Sequence, residues 1–134
     1  MTPEWFEATF ASAGRTGSPA TAPQLDALAD LCGHPLPSDY GDFLRTVGGY
    51  NGDLPGGRYV RLFAAAEVAA DNFDLDEITG VDPETTAVIG DTGASWLFVL
   101  DAATGKYAEI DPGAGETLRQ LGTSFTEFIA AVQQ

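Results

Sequence analysis

Residues 36–52, LPSDYGDFLRTVGGYNG, carry the clearest local grammar in the chain. Leu36-Pro37 is an extended lead-in, because the proline ring crowds helical backbone in the residue before it. Ser38 predicts a helix N-cap, and Asp39 and Asp42 place negative charge in the first turns, where the macrodipole favours it. Tyr40, Phe43, Leu44 and Val47 recur at i, i+3, i+4 and i+7, the spacing of one buried helical stripe rather than of a ligand box. Gly48-Gly49 predicts the stop, and Asn51-Gly52 predicts a turn.

The flanking sequence repeats this alternation of capped helices and turns. Thr2 and Pro3 open a helix expected over residues 2–13, with Trp5, Phe6, Ala8 and Phe10 as apolar surface. Residues 14–23 read as a loop. A second helix is predicted over 23–32, where Leu25, Leu28, Ala29 and Cys32 share one face and Gly33 ends it. Beyond the deciding stretch the texture changes. Residues 58–63 alternate as a strand, 64–72 suggest a short helix, and 71–86 are acidic and rich in turn formers. Strands follow at 87–89, 96–100 and 106–110, the last two joined by a hairpin loop at 101–105. Residues 111–115 form another loop, and a closing helix begins at Ser124. There Ser124 and Glu127 fit a capping box, and Phe125, Phe128, Ile129 and Val132 share a face. Short connections imply antiparallel strands, so the order helices, strand meander, helix predicts an α+β fold in one domain over residues 1–134.

Charge narrows the function. Six basic residues stand against twenty acidic ones, a net charge of −14. Such a surface repels phosphate backbones and anionic membranes, which argues against direct binding to either. It attracts a basic protein and speeds the encounter, whereas the plainer alternative is solubility alone. One cysteine, Cys32, excludes an internal disulfide and suits a reducing compartment. With no basic n-region and no apolar run long enough to span a bilayer, the predicted address is the cytoplasm. The oligomeric state is left open between a monomer and a weak dimer.

Three stretches resemble the SMI1/KNR4 family of the SUKH superfamily: LPSDYGDFLRTVGGYNG (36–52), RLFAAAEVAADN (61–72) and AVIGDTGASWLFVLDAATGKYAEID (87–111). The ending SFTEFIAAV (124–132) is similar as well, and the likeness runs in order over about residues 21–133. It departs from the family in the long acidic stretch at 71–86 and in the first 20 residues. The resemblance implies helices packed around a mostly antiparallel sheet. It also implies either a bacterial immunity protein that neutralises a cognate toxin, often a nuclease, or a regulatory or scaffold module acting on an endogenous partner.

The candidate partner-binding residues are Asp71, Asp74, Asp76, Glu77, Asp82 and Glu84, six carboxylates interleaved with Phe73, Leu75 and Ile78 as apolar anchors. The alternative is a solvated loop pinned to the core by those apolar residues. Tyr107 is added as an aromatic contact on the sheet, whereas Trp96 is expected to pack under the helices. Asp91-Thr92-Gly93 matches the active-site triplet of aspartic proteases, but that chemistry needs two aspartates sharing a proton, which only a dimer would supply here. Its favoured reading is a turn with Gly93 at positive φ. His34 stands alone, Cys32 and His34 are too few for zinc, and the glycines lack the Lys-Ser/Thr of a phosphate loop. No catalytic residue, metal or cofactor is therefore assigned, and a protein-binding role is expected.

Overall fold

The computed structural model describes residues 2–70 and 75–133. Helix α1 (Pro3–Thr9) is capped by Thr2, whose hydroxyl accepts from the Trp5 N–H at 3.2 Å, and a 3₁₀ turn at Ser12–Gly14 follows. Helix α2 (Ala22–Cys32) starts on Thr21, which exchanges hydrogen bonds with Gln24 in a capping box. It stops at Gly33, whose φ of 60° is the left-handed conformation that glycine adopts without strain. Helix α3 (Ser38–Thr46) buries Tyr40, Phe43 and Leu44, with Val47 just after it. Its cap differs from the expectation: Pro37 takes the N-cap position, and Ser38 lies inside the first turn without a capping bond.

Two of the expected turns and loops are strands. Strand β1 (Arg15–Thr16) lies in the loop predicted at 14–23 and pairs with β2 (Gly49–Asp53). Asn51-Gly52 is not a turn, since Asn51 faces Arg61 and Gly52 faces Val60 inside the ladder between β2 and β3 (Tyr59–Leu62). The reversal falls later, where the Leu54 carbonyl accepts from Gly57 and the Leu54 N–H donates to the Arg58 carbonyl, both at 2.8 Å. Pro55 with Gly56-Gly57 is stronger turn chemistry than Asn-Gly at this point, because proline pre-sets one φ and Gly57 takes a φ of 86°.

After β3 come α4 (Ala65–Ala70), β4 (Thr86–Asp91), β5 (Leu97–Asp101), β6 (Lys106–Asp111), β7 (Glu116–Gly122) and α5 (Phe125–Val132). The seven strands form one sheet in sequence order, every neighbouring pair antiparallel. The fold is α+β, with helices packed on a meander. Strand β7 was not foreseen. Leu121 is its one buried residue, and two register shifts against β6 break the alternation that would mark it. Those bulges also roughen a sheet edge that would otherwise invite strand pairing.

Side-chain alternation divides the sheet into two faces. Phe98 and Tyr107 point to the face covered by α5. There the Phe128 ring lies 5.3 Å from Phe98 and stacks on Tyr107 at 4.8 Å and 8°. Phe10, Phe43 and Phe125 extend this aromatic seam, with the Phe43 and Phe125 centroids 4.8 Å apart, so α1, α3 and α5 meet over one face. Val99 and Ala108 point to the opposite face. Residues 97–100 are all buried, as a strand covered on both sides requires.

The N-terminus of α5 is joined to α3. Asp39 accepts from the Phe125 N–H at 2.7 Å through one carboxylate oxygen and from the Tyr40 N–H at 2.8 Å through the other. Ser124 caps the helix by accepting from Glu127 N–H at 3.2 Å, as expected. The Glu127 carboxylate, however, reaches past Ser124 to the N–H and hydroxyl of Thr123, at 3.0 and 3.1 Å.

Candidate functional site

The acidic segment, from residue 75 onward, is strapped across the β6–β7 end of the sheet. Thr79 N–H donates to the Gly115 carbonyl at 3.1 Å, and the Thr117 hydroxyl donates to the Thr79 carbonyl at 2.8 Å. At its exit Thr85 donates through its hydroxyl to Asp101 at 2.8 Å and accepts at its carbonyl from Ala102 N–H at 2.9 Å. Leu75 and Ile78 are buried in the core, so they hold the segment down rather than anchor a partner, a correction to one of their two expected roles. With its apolar residues turned inward, the strap leaves Asp76, Glu77, Asp82 and Glu84 exposed. Asp71, Asp74 and Phe73 lie outside the described residues.

Under the strap is a shallow cleft of about 180 Å³ lined by Val81, Thr86, Val99, Lys106, Ala108 and Thr117, among others. Its lining therefore combines Lys106 and Asp101 with threonines.

Tyr107 is not a surface contact. It is fully buried beneath α5, where Phe128 stacks on it, and this corrects its assignment as a partner-binding residue. Burial pushes its phenol pKa far above the ordinary tyrosine value, with smaller contributions from the nearby Asp39 and Tyr40. Trp96 departs from expectation in the other direction: it is 46 % exposed, and Tyr59 is 47 % exposed. The two rings flank the β4–β5 turn. On one side a cleft of about 350 Å³ is lined by Tyr59, Arg61, Asp91, Gly93 and Ala94. On the other, a cleft of about 400 Å³ is lined by Arg58, Thr92, Ala94, Ser95, Trp96 and Glu109.

The turn between the clefts is held by Asp91. This buried carboxylate accepts from the Arg61 guanidinium at 2.5 Å and from the Gly93 N–H at 2.9 Å. Gly93 has a φ of 81°, the positive value expected of it. An added Cβ at Gly93 would stand 2.9 Å from the Tyr59 ring, so this glycine also permits close approach of the aromatic. Asp91 is thus a structural strut whose two oxygens are already engaged. Glu109, equally buried, accepts from Arg119 at 2.8 Å, and Arg119 also donates to the Ala131 carbonyl at the end of α5.

Cys32 is buried in the core, and burial, with Asp101 as a smaller cause, raises its thiol pKa, which disfavours the reactive thiolate. The His34 ring pairs with the adjacent Pro35 carbonyl at 2.9 Å. Among the described residues no group of three or more His, Cys, Asp or Glu side chains is placed to hold a metal ion, and no helix is long and apolar enough to cross a membrane.

Residues 19–131 match the SMI1 / KNR4 family (SUKH-1). The chain belongs to this family. No curated protein is significantly similar to it. SMI1/KNR4 domains are generally non-enzymatic modules that interact with other proteins, and the helices and antiparallel sheet described above fit that fold. Against this SMI1/KNR4 background the two clefts at the β4–β5 turn and the acidic strap are features available for contact. Sequence reasoning found the strap through its charge run. The aromatic turn escapes it because Trp96 and Tyr59 are far apart in the chain, and the β3–β4–β5 ladder sets them on opposite sides of one turn.

Proposed function

We propose that this SMI1/KNR4 domain is an immunity protein, acting in the cytoplasm by binding a cognate bacterial toxin and blocking its active site without chemistry. A basic toxin domain, such as a nuclease, is the partner that the charge favours. The observation that carries this reading is the anchored acidic strap in a chain of net charge −14. Asp76, Glu77, Asp82 and Glu84 stand out on a segment whose backbone is tied to Gly115, Thr117 and Ala102. A fixed carboxylate surface resembles a run of phosphates, and holding it rigid lowers the entropy lost on binding.

The test is a calorimetric titration against the toxin encoded beside this protein, together with survival of cells expressing that toxin. The expected result is tight binding and protection. Association is expected to slow by about tenfold or more between low and physiological salt, because exposed charges are screened over a Debye length of about 8 Å there. The quadruple variant Asp76→Asn, Glu77→Gln, Asp82→Asn, Glu84→Gln should lose most of that salt dependence. No binding together with no protection removes the immunity reading.

A further inference from the structure

The overall charge explains attraction at a distance, but it does not supply a contact centre. Side chains that dominate binding energy are enriched in Trp, Tyr and Arg, and they cluster where water is displaced. Those residue types stand on the two sides of one turn here, in clefts that share Ala94. Tyr59 and Trp96 are among the few large apolar side chains that stand exposed, and they flank a single turn. Three of the six basic residues, Arg58, Arg61 and Arg119, sit at this end of the sheet, the first two lining the clefts and the third bonded to the cleft residue Glu109. Arg61 and Arg119 are each paired with a buried carboxylate, Asp91 and Glu109, and Asp53 stands opposite Tyr59 in the β2–β3 ladder.

The donor inventory identifies what fits. A guanidinium has five N–H donors and no acceptor. Arg61 uses one nitrogen on Asp91, its side chain is half exposed, and its other described contact is the Phe63 ring, 5.4 Å from the guanidinium carbon. Its remaining donors face an open cleft beside the Tyr59 ring. Donors beside apolar rings call for an acceptor beside an apolar group. A carboxylate is the strongest such acceptor, because it takes two guanidinium hydrogens at once.

We propose that Tyr59, Arg61 and Trp96, on the strut formed by Asp91, are the contact centre for the protein partner, and that they receive a partner loop presenting a carboxylate next to an apolar side chain. The inference rests on the protein-binding reading above and deepens it. The acidic strap draws in a basic partner, and this corner sets the register once it arrives.

The experiment is panning of a display library of randomised surface loops against the full chain. Enriched loops are then titrated against Trp96→Ser, Arg61→Gln and the quadruple strap variant, each first checked for an unchanged circular dichroism spectrum. The expected loops carry Asp or Glu beside an aliphatic or aromatic residue. Their affinity should fall by about tenfold or more for Trp96→Ser and Arg61→Gln and hold on the strap variant. Enrichment of Lys- or Arg-rich loops that follow the strap variant overturns the proposal, as does no enrichment or loops indifferent to both Trp96 and Arg61. The two readings fail separately. Absence of toxin protection with loops still selecting this corner removes the immunity role alone, whereas toxin binding untouched by Trp96→Ser and Arg61→Gln removes the contact centre alone.

Discussion

Tyr107 lies in β6 and Trp96 stands just before the neighbouring β5, yet one is sealed under α5 and the other stands half in water. Tyr107 lies mid-sheet, where Phe128 stacks on it and Phe125 closes the seam. Trp96 closes the β4–β5 turn, its carbonyl accepting from the Thr92 N–H at 3.2 Å, and among the described residues no ring of the aromatic seam pairs with it. The lesson is that an aromatic's fate in this sheet depends on its distance from the covering helix, not on its residue type or its strand. Aromatics under α5 hold the molecule together, and those at the turn are left for something else to cover.

The largest test of that contrast is a pair of variants. Phe128→Ala should cost about 3–5 kcal/mol in urea unfolding, because it removes the ring shared by Phe98 and Tyr107 and leaves a cavity. Trp96→Ser should stay within about 0.5 kcal/mol of the parent chain. Equal costs would break the comparison. Ile78→Ala comes next, at about 2 kcal/mol, since the strap is pinned by apolar burial as well as by hydrogen bonds. Proteolysis within the strap should rise in the same variant, which would separate loosening of the strap from loss of the seam.

Asp39→Ala should cost about 1 kcal/mol by removing an acceptor from the α5 terminus, measured by chemical denaturation. The smallest effect is electrostatic. The Thr123 N–H and hydroxyl hold the Glu127 carboxyl below the ordinary glutamate range. A carboxyl depressed in the folded state contributes stability above its unfolded pKa, and that contribution disappears as pH falls through the folded value. The melting temperatures of the parent chain and Glu127→Gln should therefore differ near neutral pH and converge as pH drops below about 4. A gap that is constant with pH would assign Glu127 a packing role instead.

Helix periodicity and caps were legible because they are local. Thr2, Gly33 and Ser124 each act within four residues, and the stripe of Tyr40, Phe43, Leu44 and Val47 is written in the spacing itself. Strands β5 and β6 were legible as apolar runs around a turn. Strand β1, with two residues, and the bulged β7 carry no such signal. Each exists because a neighbour offers unpaired backbone groups, β2 in one case and β6 in the other.

The same division holds for the candidate site. Composition alone establishes an acidic chain, and the order of its motifs establishes the SMI1/KNR4 family. The inward turn of Leu75 and Ile78, the burial of Tyr107 under α5 and the placing of Tyr59, Arg61 and Trp96 around one turn come from contacts between separate elements. Propensity and charge are carried by single residues and their near neighbours. Exposure is a property of what the rest of the chain places on top of them.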